Sequence, residues 1–262
     1  MRIKLILLAI FISYLPVGLI VYAETSVELH LAPYKDFLEW GTYEGFDATQ
    51  PKPESRYATF KAAFELIEPI DHPIIVELGT TRSFNHGGLV GCNSDDTRYW
   101  MPENPSTWDW GAGFFTRMAA TAMSHKMVDI HTVDICSAHI ARCKVMTSDF
   151  SNIQYHVSDS IAFLKKCKFP RKIHLLYLDT GDMTPIEPTA QLQLREAKII
   201  VSRNLIADGG YILIDDVQNQ TPKQFGETSN LGKSKYSLPF LLANGFELIM
   251  DEYQVLLQKK KP

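Results

Sequence analysis

Acidic residues stand at or within two positions of the ends of five predicted strands. They are Glu77, Asp134, Asp159, Asp179 and the pair Asp215–Asp216. In an open α/β sheet of parallel strands, ligands bind in the crevice beyond the carboxyl ends of the strands, so chemistry is expected there. One such acid taken alone is usually a turn former or a helix cap. Acids at all five ends favour a common binding site at that edge.

The elements that must position these acids follow from the hydrophobic pattern. From residue 56 onward, short apolar runs alternate with helical patterns, which predicts a parallel sheet covered by helices. The predicted parallel strands are 74–78, 130–134, 153–157, 173–179 and 211–215. The predicted helices lie near 56–68, 113–126, 137–148, 160–167 and 187–205. Asp208–Gly210 is expected to form the turn after the last of these helices.

The C-terminal segment breaks the alternation. A predicted helix over 237–243 is followed by two predicted strands, 246–250 and 253–257, which only Asp251 and Glu252 separate. So short a connection allows only an antiparallel hairpin. Five strand–helix units closed by such a pair resemble the class I S-adenosylmethionine-dependent methyltransferase fold over about residues 56–259. The resemblance implies a Rossmann-like α/β structure with a mostly parallel seven-stranded sheet.

The first strand and its loop are similar to the family's cofactor motif. Glu77–Ser83 (ELGTTRS) matches the beginning of that motif, although Ser83 stands where the family has a glycine. No G-x-G-x-x-G is present, so a dinucleotide fingerprint is not predicted. The resemblance implies S-adenosylmethionine as the cofactor, with Asp134 on its ribose hydroxyls. The other implied cofactor contacts are Glu77, Gly79, Thr80, Ile135, Asp159, Ser160 and Asp179.

An inserted loop is predicted between the first two acids. Glu77 and Asp134 lie 57 positions apart, whereas about 20 are typical of a compact dinucleotide-type unit. Residues 84–110 lack strand or helix periodicity and account for the difference. Three tryptophans in this segment argue against disorder. The loop is expected to be either an ordered flap over the binding pocket or an aromatic loop packed on the surface for stability.

A metal site and a general base are predicted near the fourth and fifth strands. These strands are neighbours in the methyltransferase fold, so Asp179, Asp215 and Asp216 should converge. Three ionised carboxylates need a compensating cation, and oxygen ligands suit Mg²⁺ or another divalent cation. The arrangement resembles metal-dependent O-methyltransferases of the catechol and macrocin types, with Asp182 as the implied general base. The alternative is that Asp182 caps the segment after it and Asp215–Asp216 are turn acids.

The composition is typical of a globular protein. Of the 262 residues, 45% are hydrophobic and 21% are charged, and the net charge of −4 lacks the basic character of a general nucleic-acid binder. The four cysteines form no C-x-x-C pair, so neither a zinc ribbon nor a thioredoxin-type centre is expected. Because no linker divides residues 24–262, they are predicted to form one domain.

The first 23 residues are predicted to be a targeting segment. Arg2 and Lys4 precede an uncharged run from Leu5 to Ala23, as in a secretory signal peptide. The same run is long enough to be an uncleaved membrane anchor. Both interpretations place the rest of the chain across the membrane. A cytoplasmic location follows only if the segment is instead a buried helix.

The function implied by the resemblance is methyl transfer from S-adenosylmethionine to a hydroxyl of a small molecule or sugar, with Mg²⁺ or another divalent cation as a candidate second cofactor. The expected partners are the small-molecule acceptor and, through residues 1–23 alone, the membrane; nucleic acid is not expected. Export conflicts with a cofactor that is made in the cytosol. A second function therefore stays open, an exported binding protein that keeps the fold without catalysis.

Overall fold

A seven-stranded sheet lies at the centre of the protein. The computed structural model describes residues 25–35, 38, 56–80, 113–181, 185–217 and 231–261. The strands are β1 (Ile74–Leu78), β2 (Asp129–Asp134), β3 (Ile153–Val157), β4 (Ile173–Leu178), β5 (Ile206–Ile214), β6 (Phe246–Asp251) and β7 (Val255–Lys259). The predicted leader 1–23 and the inserted loop 84–110 lie outside the described residues, so both stay predictions.

Helices cover both faces of the sheet. They are α1 (Ser26–Leu31), α2 (Tyr57–Ile67), α3 (Phe114–Ala122), α4 (Ser137–Met146), α5 (Ser160–Lys166), α6 (Ile186–Ser202) and α7 (Ser237–Ala243). Short 3₁₀ turns occupy Ala32–Tyr34 and Gly232–Ser234. Residues of α1, α2 and α3 pack on one face, and residues of α5, α6 and α7 pack on the other. None of the described helices is both long enough and apolar enough to cross a membrane.

The strand order is β3-β2-β1-β4-β5-β7-β6. Strands β1 to β5 run parallel, and β7 pairs antiparallel with both β5 and β6. This confirms the predicted fold class and the C-terminal hairpin, with β7 beginning at Val255 rather than Tyr253. The sheet grows from β1 toward β2 on one side and from β4 toward β5 on the other. The β1–β4 boundary is therefore the topological switch point, where open α/β sheets bind ligands.

Strand β1 illustrates how the sheet is buried on both faces. All five of its residues are buried. Ile75 belongs to the same apolar cluster as Phe64 and Phe115, whereas Val76 and Leu78 belong to the cluster on the opposite face. Continuous apolar runs of this kind are typical of parallel strands that helices cover on both sides.

The start of β5 differs from the prediction. Asp208–Gly210, predicted as a turn after the preceding helix, lies inside β5, which begins at Ile206. The pairing of β4 with β5 shifts register here, because Ile173 faces Ile206 but Leu175 already faces Tyr211. The extra residues on β5 form a bulge, and glycine within a strand is typical of bulges.

Candidate functional site

The β1–β4 switch point brings two backbone segments into close contact. Gly79 follows β1 with φ +81°, a left-handed conformation that favours glycine. Its amide donates to the carbonyl of Val133 in β2 at 2.9 Å. A Cβ on Gly79 would lie only 2.4 Å from the carbonyl oxygen of Asp179. The glycine expected from the motif is therefore required for the carboxyl ends of β1, β2 and β4 to lie side by side.

Glu77, on β1, is completely buried. Its Oε2 accepts hydrogen bonds from the hydroxyls of Thr116 on α3 and Thr132 on β2, each at 2.5 Å. The hydroxyl of Thr132 also shares a hydrogen bond with that of Thr80, at 2.7 Å. These bonds hold the start of α3 against β1 and β2. Glu77 thus organises the carboxyl edge of the sheet from within rather than presenting a charge at its surface.

Asp134 and Ile135 lie at the end of β2. The Oδ1 atom of Asp134 accepts a hydrogen bond from the backbone amide of Cys136 at 2.7 Å and lies 3.2 Å from Nδ1 of His139. Within the described part of the chain, no hydrogen bond reaches Oδ2. Ile135 is 72% exposed, and Val157, which pairs with Asp134 across the β2–β3 ladder, is 57% exposed. The Asp134 side chain is 11% exposed, so the end of β2 offers a carboxylate oxygen that accepts no hydrogen bond from the described residues, beside apolar surface.

Asp159 is the N-cap of α5. Its Oδ1 accepts a hydrogen bond from the backbone amide of Ala162 at 2.8 Å. This is the structural role that an aspartate between a strand and a helix usually has. The next residue, Ser160, is buried at the start of α5, whereas Asp159 itself is exposed. Asp159 therefore remains accessible to a ligand while it caps the helix.

Three aspartates converge at the ends of β4 and β5, as the sequence predicts. One carboxylate oxygen from each of Asp179, Asp215 and Asp216 lies within 4.8 Å of the other two. The hydroxyl of Tyr177 donates to Asp215 at 2.8 Å, and that of Tyr253 donates to Asp216. We call these three aspartates the acidic cluster.

Two buried cations compensate the acidic cluster. Arg56, which directly precedes α2, places its Nε 2.9 Å from Asp215 Oδ1 and its Nη2 3.0 Å from Asp216 Oδ1. Lys233, in the second 3₁₀ turn, places its Nζ 2.8 Å from Asp179 Oδ1 and 2.6 Å from Asp216 Oδ2. These separations lie within about 0.1 Å of the range typical of charge-assisted hydrogen bonds. Each of the three carboxylates thus has a cationic partner from the chain itself.

The cations set the ionisation of the cluster. Burial alone would raise the pKa of Asp216, but Lys233 and Arg56 lower this pKa to about 2. Burial raises the pKa of Asp179 to about 8; Lys233 acts against this rise, and the charges of Asp215 and Asp216 add to it. Burial would lower the pKa of Lys233, but the three aspartates raise it well above its ordinary value. The Lys233 ammonium therefore stays charged.

A divalent cation does not fit the acidic cluster while Lys233 is in place. Carboxylate oxygens are suitable ligands for Mg²⁺, but this ion needs them at about 2.0–2.1 Å in a near-octahedral arrangement. The Lys233 ammonium lies between Asp179 and Asp216, within hydrogen-bond distance of both. It takes the space and supplies the charge that the ion would supply. The predicted ligands lie close together, but Lys233 and Arg56 of the chain itself compensate their negative charge.

Arg56 and Lys233 were not predicted as site residues. Arg56 lies 159 positions from Asp215, and Lys233 lies 54 positions from Asp179. The available signal was charge balance, because three converging acids require cations. Spacing alone does not single out these two residues among the 26 lysines and arginines of the chain. Asp182, the predicted general base, lies outside the described residues and stays a prediction.

A further buried acid lies under the loop that follows β4. Glu196 on α6 is buried, and its Oε2 accepts a hydrogen bond from the hydroxyl of Thr180 at 2.8 Å. Burial raises the pKa of Glu196 to about 7, although the hydroxyls of Ser160 and Thr180 act in the opposite direction. The Oε1 atom of Glu196 has no hydrogen-bond partner in the described structure. Glu196 therefore holds a proton more readily than an ordinary glutamate.

Comparisons with known proteins are informative only at the level of structure. The chain matches no protein-family model, and it matches no curated protein. A methyltransferase from Podospora anserina, solved with S-adenosylhomocysteine bound, is similar with a TM-score of 0.51 at 12% identity, over 92% of this chain and 89% of that one. N-methyltransferase NodS from Bradyrhizobium japonicum WM9 is similar with a TM-score of 0.45 at 12% identity, over 78% of this chain and 95% of that one. Identities this low establish the fold alone.

Proposed function

We propose that this chain, which has the fold of class I S-adenosylmethionine-dependent methyltransferases, transfers a methyl group from that cofactor to a hydroxyl of a small molecule or sugar. The cofactor would lie at the carboxyl ends of β1, β2 and β3, next to the switch point. The similar methyltransferase from Podospora anserina was crystallised with S-adenosylhomocysteine, the product form of the proposed cofactor. The formal net charge of −4 supports a small acceptor rather than a nucleic acid.

The observation that carries the proposal is the geometry at the end of β2. The amide of Cys136 fixes one oxygen of Asp134 and leaves the other for a ribose hydroxyl. The exposed side chains of Ile135 and Val157 offer an apolar surface of the kind that lines small-molecule sites. The amide of Gly79 donates to the carbonyl of Val133, which keeps the residue directly after β1 beside the end of β2. Together these residues fit the ribose and the adenine of an adenosyl cofactor.

The chemistry asked of the protein is mainly positioning. When bound, S-adenosylmethionine supplies an electrophilic methyl group on a sulfonium. The chain must hold the acceptor oxygen in line with this methyl group and take up the hydroxyl proton as the O–C bond forms and the S–C bond breaks. We propose Asp182, three positions after Asp179, as the base that takes up this proton. No step passes through a divalent ion, because Lys233 and Arg56 already compensate the acidic cluster.

Calorimetric titration of the full-length chain with S-adenosylhomocysteine tests the proposal. We expect saturable binding at one site per chain. Asp134→Ala should weaken it about tenfold to a hundredfold, because hydrogen bonds to a carboxylate contribute about 1.5–3 kcal/mol. The matched control is Asp129→Ala at the opposite end of β2, where the carboxylate meets His72 at 3.2 Å. This control should bind like the wild type. Equal losses in both variants would contradict the assignment of Asp134.

The second candidate function is a binding protein without catalysis. Glu77 favours it, because the strand-one acid that the resemblance assigns to the cofactor is buried and accepts hydrogen bonds from two threonines. In this case the chain would bind no S-adenosylhomocysteine under any metal condition. Saturable binding that depends on Asp134 would instead support the enzyme.

The location of the protein is a separate proposal. We propose that residues 1–23 deliver the chain across a membrane or anchor it there. A reporter fused after residue 23 should then be secreted or recovered in the membrane fraction. A reporter found in the cytosol would show that the segment is not a targeting signal and would remove the conflict with a cytosolic cofactor.

A further inference from the structure

The acidic cluster contains its own cation. We propose that the Lys233 ammonium occupies the position predicted for Mg²⁺. The wild-type cluster therefore binds no divalent ion and holds this ammonium group instead. The proposal concerns cation binding and holds or fails independently of methyl transfer.

The first argument is the position of the ammonium. Lys233 Nζ lies 2.8 Å from Asp179 Oδ1 and 2.6 Å from Asp216 Oδ2, and the lysine is only 4% exposed. A divalent ion bound to the same two oxygens would have to lie where the ammonium lies. One of the two cations therefore excludes the other.

The second argument is the backbone that delivers the lysine. The amide of Lys233 donates to the carbonyl of Asp216 at 3.3 Å. A Cβ on Gly232 would lie 2.0 Å from that same carbonyl oxygen, so only glycine permits the approach. Leu231 on one side and Ser234 on the other are buried. The packed turn therefore fixes the position of Lys233, whereas the side chain of an exposed lysine can move away when an ion binds.

The third argument is charge. Arg56 contacts Asp215 and Asp216, and Lys233 contacts Asp179 and Asp216, so among the described residues two fixed positive charges face three carboxylates. A divalent ion would bring the total to four positive charges or would force the ammonium away from its partners. An ammonium left buried without partners is strongly destabilising. The cluster therefore favours the lysine over the ion.

Titration with Mn²⁺, followed by the relaxation of water protons, tests the proposal. Mn²⁺ is the probe because it accepts carboxylate ligands and is paramagnetic. We compare the full-length wild type with Lys233→Met and with Lys235→Met. Lys235 is two residues away and pairs with Glu187 at the surface, so its substitution removes the same charge without opening the cluster.

We expect the wild type and Lys235→Met to show no saturable Mn²⁺ binding at the cluster. In Lys233→Met, saturable binding of one Mn²⁺ should appear, at least about tenfold tighter than any binding to the wild type, because the substitution removes one of the two described cations that contact the three carboxylates. Adding Asp179→Asn to Lys233→Met should weaken this binding, because Asp179 is one of the two aspartates that the ammonium contacts in the wild type. S-adenosylhomocysteine titration of the same samples reports separately on the proposed function.

Two results would overturn the proposal. One is a wild-type chain that binds Mn²⁺ as tightly as Lys233→Met does and loses the ion in Asp179→Asn. The other is a folded Lys233→Met variant that still binds no Mn²⁺, since something other than the lysine would then exclude the ion. If Lys233→Met does not fold by circular dichroism, Lys233→Gln replaces it, because its amide can still donate to an aspartate. If neither variant folds, the wild-type titration and Asp179→Asn decide the matter.

Discussion

The carboxyl edge of the sheet carries acids on both sides of the β1–β4 boundary, and the two sides satisfy them with different partners. On the β1–β3 side the donors include hydroxyls and backbone amides: threonines for Glu77, the amide of Cys136 for Asp134 and the amide of Ala162 for Asp159. On the β4–β5 side the donors include the buried cations Arg56 and Lys233.

We call the β1–β3 side of the edge the receptive half and the β4–β5 side, where buried cations pair with the acids, the compensated half. A backbone amide fixes a carboxylate without cancelling its charge, so Asp134 keeps an open oxygen for a ligand. A buried ammonium or guanidinium cancels the charge and fills the space, as Lys233 does between Asp179 and Asp216. We therefore propose that the cofactor binds on the β1–β3 side and that the acidic cluster forms a rigid wall of the site.

The largest expected loss of stability follows from the removal of a buried cation. Arg56→Met leaves Asp215 and Asp216 with one cation fewer in a buried setting, and breaking such pairs costs about 3–5 kcal/mol. We expect the free energy of unfolding, measured by urea denaturation, to fall by this amount. The control is Arg171→Met, an exposed arginine that donates to the carbonyl of Asp71.

The control should change the free energy of unfolding by less than about 1 kcal/mol. If Arg56→Met costs no more than Arg171→Met, the β4–β5 acids do not depend on cations. The distinction between the two halves of the edge would then be lost.

Substitution of Glu196 is expected to raise the stability of the protein rather than lower it, by an amount that depends on pH. Burial raises its pKa to about 7, against an ordinary value of 4.5, so the folded chain keeps a proton that the unfolded chain has released between these pH values. The stability of the wild type therefore falls as pH rises through this window. Glu196→Gln removes the penalty and should stabilise the protein by up to about 3 kcal/mol at pH 8, with little gain at pH 4.

Urea denaturation at the two pH values measures this effect. The control is Glu187→Gln on the same helix, where hydrogen bonds from Gln191 and Tyr236 lower the pKa of an exposed carboxylate. Its substitution should not stabilise the protein at pH 8. A Glu196→Gln gain that is the same at both pH values would show that packing, not protonation, is responsible.

A smaller loss of stability is expected from a substitution on the β1–β3 side. Thr116→Val removes one of the two hydroxyls that donate to the buried Oε2 of Glu77. Thr132 still donates to this atom, so the expected cost is that of one typical hydrogen bond, about 0.5–1.5 kcal/mol. Thr116→Ser keeps the hydroxyl and should lose less. Thr121→Val is the control on the same helix, because its part-buried hydroxyl donates to the helix carbonyl of Arg117 at 2.9 Å and shares a hydrogen bond of 3.2 Å with Tyr34, but contacts no buried carboxyl group of the described residues. Urea denaturation should rank Thr116→Val as the least stable of the three.

Most of the fold could be predicted, because a buried parallel strand and an amphipathic helix leave a periodic pattern in the chain. The error at Asp208–Gly210 has a local cause. Two adjacent glycines signal a turn, yet the same residues also fit a bulge, and only the pairing with β4 decides between them. The helix Ser26–Leu31, for which no prediction was made, is short and capped by Thr25.

The candidate site was predictable to the extent that topology determines it. Parallel strands bring their carboxyl ends together, so the convergence of Asp179, Asp215 and Asp216 follows from the strand order. Their cations do not follow from it. Lys233 comes from a turn and Arg56 from the residue before α2, and neither position carries a periodic or motif signal. Long-range charge compensation is decided by packing, which one sequence does not display.

The smallest expected effect distinguishes two roles of Asp159 on the receptive half, helix capping and ligand binding. Asp159→Ala removes the N-cap of α5 and should cost about 1 kcal/mol. Asp159→Asn keeps the cap, because asparagine caps helices about as well, but its NH₂ group cannot accept a hydrogen bond. If Asp159 also accepts a hydrogen bond from the adenine amine, Asp159→Asn should keep wild-type stability and bind S-adenosylhomocysteine several-fold more weakly in calorimetry. Unchanged affinity in a stable Asp159→Asn protein would mean that Asp159 only caps the helix, and that the ligand-binding acid of this half is Asp134.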